Sequence, residues 1–475
     1  MRVLLTAAIL SGLLSASISC SPGGHAKDGP ALRLPVPGVV HDRITGFTDK
    51  DISYAVYIPA PARSTAGDGM ETSGKGKKLL PVVLAFDPHG SGVLPVKKYK
   101  DLADKYNFIL VGSNNSRNGQ PGDEMKGIIT SMLREVLSVY PVDSSRVCVA
   151  GFSGGSRVAA IAAITTGKVK AVIGCGAGLP GGMQQQAFNF DYFGIVGTAD
   201  FNMNEMLELD LPMTKAGMRH FITTFPGPHG WPPDSIFEEG VQWITLNAMR
   251  DGKLKKDPGF IASVMNRFGE RAGKASRENH LIAAAEICRE AIRFAEGLTP
   301  SDKFKEQENQ IEKNPAYQRQ IDYRSAILKR EMEEQQLFQN SLAANDLSWW
   351  KKRIATMDPG NMKGKNPEDT LMNSRLKAFL SLLCYSYANA AIRQQNIPAA
   401  ERIIAIYETA DKPNPEPNYM RAILLAARAE SKGAMDQLKV AVSKGFAETE
   451  RMMQQPEFQS LKSSPGWYEL LKTIK

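Results

Sequence analysis

The sequence predicts an α/β part built on a mostly parallel, doubly wound sheet, followed by an all-helical part. Up to about residue 250, short apolar runs alternate with helical segments, which is typical of a parallel sheet covered on both faces. From residue 258 onward the apolar residues recur at helical spacing. A chain of 475 residues is also too long for one core. We therefore place one domain at 36–250 and a second at 251–475.

The predicted strands come from seven apolar runs: SYAVYIPA, LPVVLAF, NFILVGS, RVCVAGF, VKAVIGCG, YFGIVGT and RHFITTF. His41 lies before the first run and is expected outside the sheet. Cys148 and Cys175 lie in runs expected to form neighbouring strands. We expect buried free thiols, with a disulfide between them as the alternative.

The first twenty residues have the pattern of an export signal. Arg2 is followed by an apolar stretch that ends at Leu14 and then by small residues. That stretch is too short to span a bilayer comfortably as a helix. Cys20 after Ser-Ile-Ser resembles the acylated cysteine of bacterial lipoproteins, although Ser17 stands where that pattern prefers leucine. Cleavage after Ser19 without lipidation is the alternative.

Lipidation of Cys20 predicts where the protein is located. Residues 21–35 would form a polar tether between the lipid and the folded chain. We therefore expect an exported protein, anchored to a bacterial membrane on its periplasmic or cell-surface face, with the lipid as its only membrane contact.

The formal charge of +8 raises the question of an anionic partner. Basic residues are interspersed with acidic ones, as in LKREMEEQQ, and no basic block alternates with aromatic residues. No nucleic-acid partner is therefore expected. No cysteine falls in a CxxC or Cys/His pattern, so no metal site is expected either.

The segment GFSGGSR, residues 151–157, predicts a nucleophilic serine at Ser153. A GxSxG match alone is weak, but this one joins a predicted strand to a predicted helix, which is the setting the motif needs. Gly151 and Gly155 allow the close backbone approach of a strained turn. The N–H of Gly154, at the start of the helix, would face a developing oxyanion.

A serine hydroxyl needs a base to take its proton, and His229 has the best position for that role. Only His89 and His229 lie in loops directly after predicted strands, and His229 follows the last strand. Asp200 follows the strand YFGIVGT and would orient the imidazole of His229. The competing carboxylates lie before a strand or on the next helix: Asp191, Glu205 and Asp210.

The second oxyanion donor is expected in the loop after LPVVLAF, which reads DPHGSG. This loop resembles the His-Gly motif of lipases and esterases, in which a backbone amide after the glycine faces the substrate oxygen. The resemblance implies the backbone N–H of Ser91 as the donor, with that of Gly90 as the alternative. His89 is then a structural residue of this loop.

Residues 36–250 resemble the α/β-hydrolase superfamily, and in particular secreted esterases related to polyhydroxybutyrate depolymerases, feruloyl esterases and dienelactone hydrolases. The resemblance rests on DPHGSG, GFSGGSR, GTAD and HGWPP, and on the order Ser…Asp…His. It implies two-step acyl transfer by Ser153, His229 and Asp200, without a metal or organic cofactor. The chain departs from these esterases in carrying a helical part instead of a carbohydrate-binding module.

Candidate substrate-binding residues are Asn114, Asn115 and Arg117 in SNNSRNGQ, and Trp231 in HGWPP. Residues 177–190 are too few for a large lipase lid, which favours a polar small-molecule or carbohydrate-linked ester. A serine peptidase of prolyl-oligopeptidase type is one alternative. A non-catalytic scaffold or binding lipoprotein that uses its helical domain is the other.

The helical part resembles tetratricopeptide repeats, whose period is about 34 residues. In NAAIRQQNIPAAERIIAIYETADKPNP and LLAARAESKGAMDQLKVAVSKGF, a turn separates two helices and alanines recur at packing positions. The family's Trp, Tyr and Pro landmarks are only partly present, and 300–370 fits poorly. We expect a tetratricopeptide-like domain whose concave face would suit a protein partner.

Overall fold

The structure, a computed structural model, describes residues 34–60, 79–181, 188–358 and 366–474. The predicted signal at 1–20, with Cys20, and nearly all of the predicted tether lie outside these ranges. No helix within them is long and apolar enough to cross a bilayer.

Among the residues that the structure describes, eight strands form one mixed sheet in the order β1-β2-β4-β3-β5-β6-β7-β8. The second strand runs antiparallel to both of its neighbours, and the remaining pairs are parallel. The strands are β1 (His41–Thr45), β2 (Ser53–Tyr57), β3 (Leu80–Phe86), β4 (Ile109–Ser113), β5 (Val142–Phe152), β6 (Ala171–Cys175), β7 (Asp191–Gly197) and β8 (His220–Phe225). The parallel strands are almost continuously apolar because helices cover both faces.

In the described ranges, six helices connect the strands or follow the last one: α1 (Val93–Tyr106), α2 (Gly122–Val139), α3 (Gly154–Thr166), α4 (Met203–Leu207), α5 (Asp210–Lys215) and α6 (Asp234–Arg250). Alternate residues of β5, including Cys148 and Phe152, face a core shared with α1 and α6. Because the parallel strands run in the same direction, their carboxyl ends lie at one edge of the sheet, and the loops that follow them meet there.

The helical part contains α7 (Pro258–Arg277), α8 (Leu281–Ala295), α9 (Asp302–Glu312), α10 (Pro315–Ala344), α11 (Leu347–Thr356), α12 (Pro367–Arg393), α13 (Ile397–Ala410), α14 (Glu416–Ala427), α15 (Ser431–Ser443), α16 (Thr449–Gln454) and α17 (Pro465–Thr473). Helices α10 and α12 have 30 and 27 residues, so each alone nearly fills the length of one tetratricopeptide repeat. The tetratricopeptide-like arrangement remains a prediction.

The core of the sheet continues into the first helices of the helical part. Phe193 of β7 contacts Phe294 of α8 with ring centroids 6.3 Å apart, and Phe268 of α7 lies 4.9 Å from Phe294. Buried residues as far along the chain as Tyr317 belong to this same core. Separate cores form among α10–α14 and among α14–α17.

Two details differ from the sequence-based picture, and one agrees with it. The prediction that His41 precedes the sheet is wrong, because His41 begins β1, a short and largely exposed edge strand with an irregular register. The single helix predicted after β7 is two short helices, α4 and α5. Cys148 and Cys175 lie in adjacent strands as free, buried thiols, as predicted.

Candidate active site

Ser153 lies on a sharp turn between β5 and α3. Its backbone has φ 53° and ψ −122°, a conformation that is costly for a non-glycine residue. A Cβ on Gly151 would overlap the carbonyl of Gly155, and a Cβ on Gly155 would overlap that of Phe86. The Ser153 N–H donates to the Cys175 carbonyl at 2.8 Å. Glycines and backbone bonds therefore hold the serine in its strained conformation.

The structure brings Ser153, His229 and Asp200 into one chain of hydrogen bonds. His229 Nε2 lies 2.9 Å from Ser153 Oγ, and His229 Nδ1 lies 2.8 Å from Asp200 Oδ2. Because a carboxylate only accepts, Nδ1 carries the proton and Nε2 is free to accept one from serine. This is the arrangement of a nucleophile, a general base and a group that orients the base.

Asp200 and His229 meet because β7 and β8 are parallel neighbours and each residue follows its strand. The N–H groups of Thr198 and Ala199 donate to the carbonyls of Phe225 and Gly227 at 2.8 and 2.9 Å. These bonds join the loop after β7 to the loop after β8. The acid and the base are therefore held on connected backbone.

Protein contacts fix the Asp200 carboxylate. The side chain is only 1% exposed, and its Oδ1 accepts the N–H of Asn202 at 2.8 Å. Asn202 in turn donates from Nδ2 to the Gly176 carbonyl at 2.7 Å. A carboxylate held in this way can orient the imidazole without reorganising during reaction.

The competing carboxylates pair with other side chains. Glu205 accepts from Arg157 at 2.9 Å, and Asp210 lies 3.1 Å from His220 Nε2. Asp191 accepts from Asn247 at 2.8 Å. Among the candidates considered from the sequence, Asp200 is the one that contacts His229.

Two phenylalanines that the sequence reasoning missed enclose His229. The ring centroids of Phe201 and Phe152 lie 4.3 and 4.6 Å from that of the imidazole. Both are adjacent in sequence to predicted site residues, Asp200 and Ser153, which was the signal available. Their rings limit the orientations of the imidazole and the access of water to it.

The N–H groups expected to stabilise an oxyanion differ in whether they already donate a hydrogen bond within the protein. Within the described part of the chain, the backbone N–H of Ser91 has no hydrogen-bond partner, and that of Gly154, the first residue of α3, has none within the helix. The N–H of Gly90 instead donates to the Asp87 carbonyl at 3.2 Å. Of the two alternatives in this loop, Ser91 is therefore the one with an available donor.

Asn118 is the polar residue beside this region that the sequence reasoning missed. A Cβ on Gly154 would overlap its side-chain amide, so the two residues are in close contact. The Asn118 N–H donates to the Pro88 carbonyl at 2.8 Å. Its segment, SNNSRNGQ, was singled out for the site, but nothing in the sequence distinguished Asn118 from its neighbours.

The structure separates the four candidate substrate residues. Asn115 is held by protein, because its Oδ1 accepts from Ser53 N–H at 2.7 Å and its Nδ2 donates to the Asp51 carbonyl at 3.1 Å. Trp231 donates from Nε1 to Asp87 Oδ2 at 2.9 Å and packs against Tyr99. Both side chains therefore make structural contacts.

Asn114 and Arg117 instead line a cleft of about 830 Å³ between the loop after β3 and the helical part. Asn114 also donates to the Asp42 carbonyl at 3.2 Å. A cavity of about 510 Å³ lies elsewhere, among the first residues of the strands, including Leu80, Ala171 and Asp191. The loops that carry the predicted triad follow the other ends of the strands, so this cavity lies away from Ser153. The 830 Å³ cleft is lined by Asn118, whose side chain contacts Gly154, the residue after Ser153.

The charged groups around the loop after β3 shift one another's pKa values. Burial alone would raise the pKa of Asp87, but hydrogen bonds from His89 and Trp231 outweigh it and lower that pKa. The hydrogen bond to Asp87 raises the pKa of His89, against an opposing effect of burial, and Glu448 and Glu416 raise it further. His89 is thus tied to the loop, in keeping with a structural role.

No group of three or more His, Cys, Asp or Glu side chains within residues 34–60, 79–181, 188–358 and 366–474 is arranged to hold a metal ion.

Solved structures similar to this chain include several hydrolases. A hyperthermophilic esterase from the archaeon Pyrobaculum calidifontis is 16% identical over 45% of this chain and 85% of its own, with a TM-score of 0.34. An S-formylglutathione hydrolase from Staphylococcus aureus is 14% identical over 45% and 99%, with a TM-score of 0.34. A ferulic acid esterase is 18% identical over 43% and 93%, with a TM-score of 0.32. No protein-family model and no curated protein matches the chain. At these identities and TM-scores the likeness assigns neither a family nor a substrate.

Proposed function

We propose that this protein is a serine hydrolase of the α/β-hydrolase type that cleaves carboxylic esters. The observation that carries the proposal is the chain of hydrogen bonds from Ser153 through His229 to Asp200, with the serine on a strained strand-to-helix turn. Structural serines rarely need a positive φ, a histidine at 2.9 Å and a buried carboxylate behind that histidine.

In the proposed mechanism, Ser153 Oγ attacks the ester carbonyl while His229 Nε2 takes its proton. The negative charge that develops on the carbonyl oxygen is stabilised by the N–H groups of Gly154 and Ser91. His229 then gives its proton to the departing alcohol, which leaves an acyl group on Ser153. A water molecule, activated by His229, attacks this acyl-enzyme and releases the acid. Asp200 keeps Nδ1 protonated and stabilises the imidazolium throughout.

The proposed substrate is a polar or carbohydrate-linked ester. The cleft beside the loop after β3 is lined mainly by charged and amide side chains, which would solvate hydroxyl groups better than alkyl chains. Contacts with such polar walls would contribute little to the binding of a long fatty acyl chain.

We also propose that Cys20 is lipidated and that residues 21–35 tether the enzyme to a bacterial membrane. Replacing Cys20 with alanine should release the exported protein from the membrane fraction, and the wild-type N-terminal peptide should carry the mass of the lipid. A protein partner on the helical part is a separate proposal that rests on the repeat-like sequence alone.

Ester hydrolysis by the purified protein tests the proposed function. A panel of p-nitrophenyl acetate, acetylated oligosaccharides and feruloyl esters should reveal a turnover that Ser153→Ala reduces by about 10⁴-fold or more without unfolding the protein. Ser138→Ala, a substitution on the exposed face of α2, is the matched control and should keep full activity. Activity retained by Ser153→Ala would mean that another residue is the nucleophile.

A further inference from the structure

The cleft beside the predicted active site has walls from both parts of the chain. The α/β part contributes the loop after β3 and the segment after β4, and the helical part contributes α12, α14 and α16 with their connections. The lining residues include Arg43, Arg117 and Asn118 on the first wall and Glu448, Glu450 and Gln454 on the second. Its volume of about 830 Å³ lies within the range of about 300–1,000 Å³ usual for small-molecule sites.

Asn118 connects this cleft to the predicted reaction centre. Its side chain contacts Gly154, the residue after Ser153, and its N–H donates to the Pro88 carbonyl. Asn118 and Pro88 both line the cleft. Asn118 therefore lies between the turn that carries Ser153 and the wall of the cleft.

The two walls carry opposite charges. Glu448 and Glu450 lie on the helical wall, and Arg43 and Arg117 lie on the facing wall. The one ion pair across the cleft, within the described ranges, joins Arg117 and Glu450 at 3.7 Å, and both side chains are about half exposed or more. Such an exposed pair is weak, so these groups remain available to hydrogen-bond a ligand.

Contacts within the helical part hold the helical wall in place, independently of the Arg117–Glu450 pair. Arg451 makes two hydrogen bonds to Glu416, at 2.6 and 2.8 Å, and its guanidinium lies 4.4 Å from the ring centroid of Tyr419. Tyr419 stacks on Phe446 with centroids 4.5 Å apart. These contacts fix the start of α16, whose residues Glu450 and Gln454 are exposed on one helix face toward the cleft.

We propose that the helical part forms one wall of the substrate site and that Glu450 and Gln454 select esters whose larger group is hydrophilic. The inference rests on the proposed function, because it requires Ser153 to be the nucleophile. It assigns α16 a direct role in substrate selection, separate from any role in binding a protein partner.

Three organophosphorus probes test this wall without knowledge of the natural substrate. Diisopropyl fluorophosphate is small, and two larger fluorophosphonates carry either a polyethylene glycol tail or an alkyl tail of equal length. The rate at which each labels Ser153 is measured by mass spectrometry for wild type, Gln454→Trp and Glu450→Trp. Met453→Trp is the matched control, because Met453 is exposed on the same short helix but does not line the cleft.

We expect wild type to react faster with the polyethylene glycol probe than with the alkyl probe. Gln454→Trp and Glu450→Trp should slow the polyethylene glycol probe by about tenfold and leave diisopropyl fluorophosphate within about twofold. Met453→Trp should match wild type. The inference would be overturned if the polyethylene glycol probe labelled wild type and both cleft variants at equal rates, or if wild type reacted faster with the alkyl probe. Either result would leave the proposed serine hydrolase function intact. Failure of all three probes on folded wild type would instead overturn the proposed function.

Discussion

The guanidinium of Arg375, in α12, donates a 2.7 Å hydrogen bond to the carbonyl of Thr198, two residues before Asp200. Arg375 is 1% exposed and makes three further hydrogen bonds to Glu331 of α10, which is 0% exposed. A buried ion pair of the helical part therefore supports the backbone that carries the proposed catalytic acid. The helical part therefore contacts the loop after β7 here and also forms one wall of the cleft beside the loop after β3.

Removing only one partner of this pair should be strongly destabilising. Arg375→Met leaves Glu331 buried without its counter-charge, a situation that typically costs about 3–5 kcal/mol of the free energy of unfolding. The double variant Arg375→Met/Glu331→Leu removes both charges and should recover most of that loss. Urea unfolding of the three proteins measures both values. A single variant that loses less than about 1 kcal/mol would show that the pair is not isolated from solvent.

Asp200→Asn should lower turnover by about 10⁴-fold while leaving the fold intact. The amide can present a donor to Nδ1, which favours the imidazole tautomer with its proton on Nε2, the atom that must accept one from Ser153. The measurement is kcat for any ester that wild type hydrolyses. Glu205→Gln serves as the control, because Glu205 pairs with Arg157 and does not touch His229. A decrease in kcat of less than about tenfold would show that a residue other than Asp200 orients His229.

We expect the buried carboxyl of Glu290 to lower the free energy of unfolding as pH rises. Burial raises its pKa well above the usual range, and the charge of neighbouring Glu239 raises it further. In the folded state Glu290 keeps a proton that the unfolded chain releases, so its contribution is complete at low pH and is lost as pH rises through the raised pKa.

Glu290→Gln tests this directly, because the amide imitates the protonated carboxyl. The variant should melt at a higher temperature than wild type at about pH 8 and at a similar temperature at about pH 4, where free glutamates are largely protonated. Glu296→Gln, at an exposed residue directly after α8, is the matched comparison. If Glu290→Gln changes melting equally at both pH values, its effect comes from packing and not from ionisation.

The α/β part was largely readable from the sequence because its strands are unbroken apolar runs. Runs such as LPVVLAF and YFGIVGT coincide with β3 and β7. The edge strand β1 was missed because HDRIT is short, polar and largely exposed, so it lacks the apolar pattern of a buried strand.

Ser153, His229 and Asp200 could be chosen from the sequence because each directly follows a recognisable strand. Asn118 and Arg375 could not, because their positions depend on how loops and helices from distant parts of the chain meet. Arg375 lies 177 residues from Thr198, and no local pattern records that contact. The same holds for the cleft wall formed by α16.

Covalent labelling of residues 21–475 with a fluorophosphonate, mapped by peptide mass spectrometry, tests the central claim most directly. An activated serine should give a single adduct on Ser153, and His229→Ala should abolish it because the hydroxyl then has no base. Folded protein that takes no label, or that is labelled equally well in His229→Ala, would contradict the proposed hydrolase and favour a non-catalytic binding role.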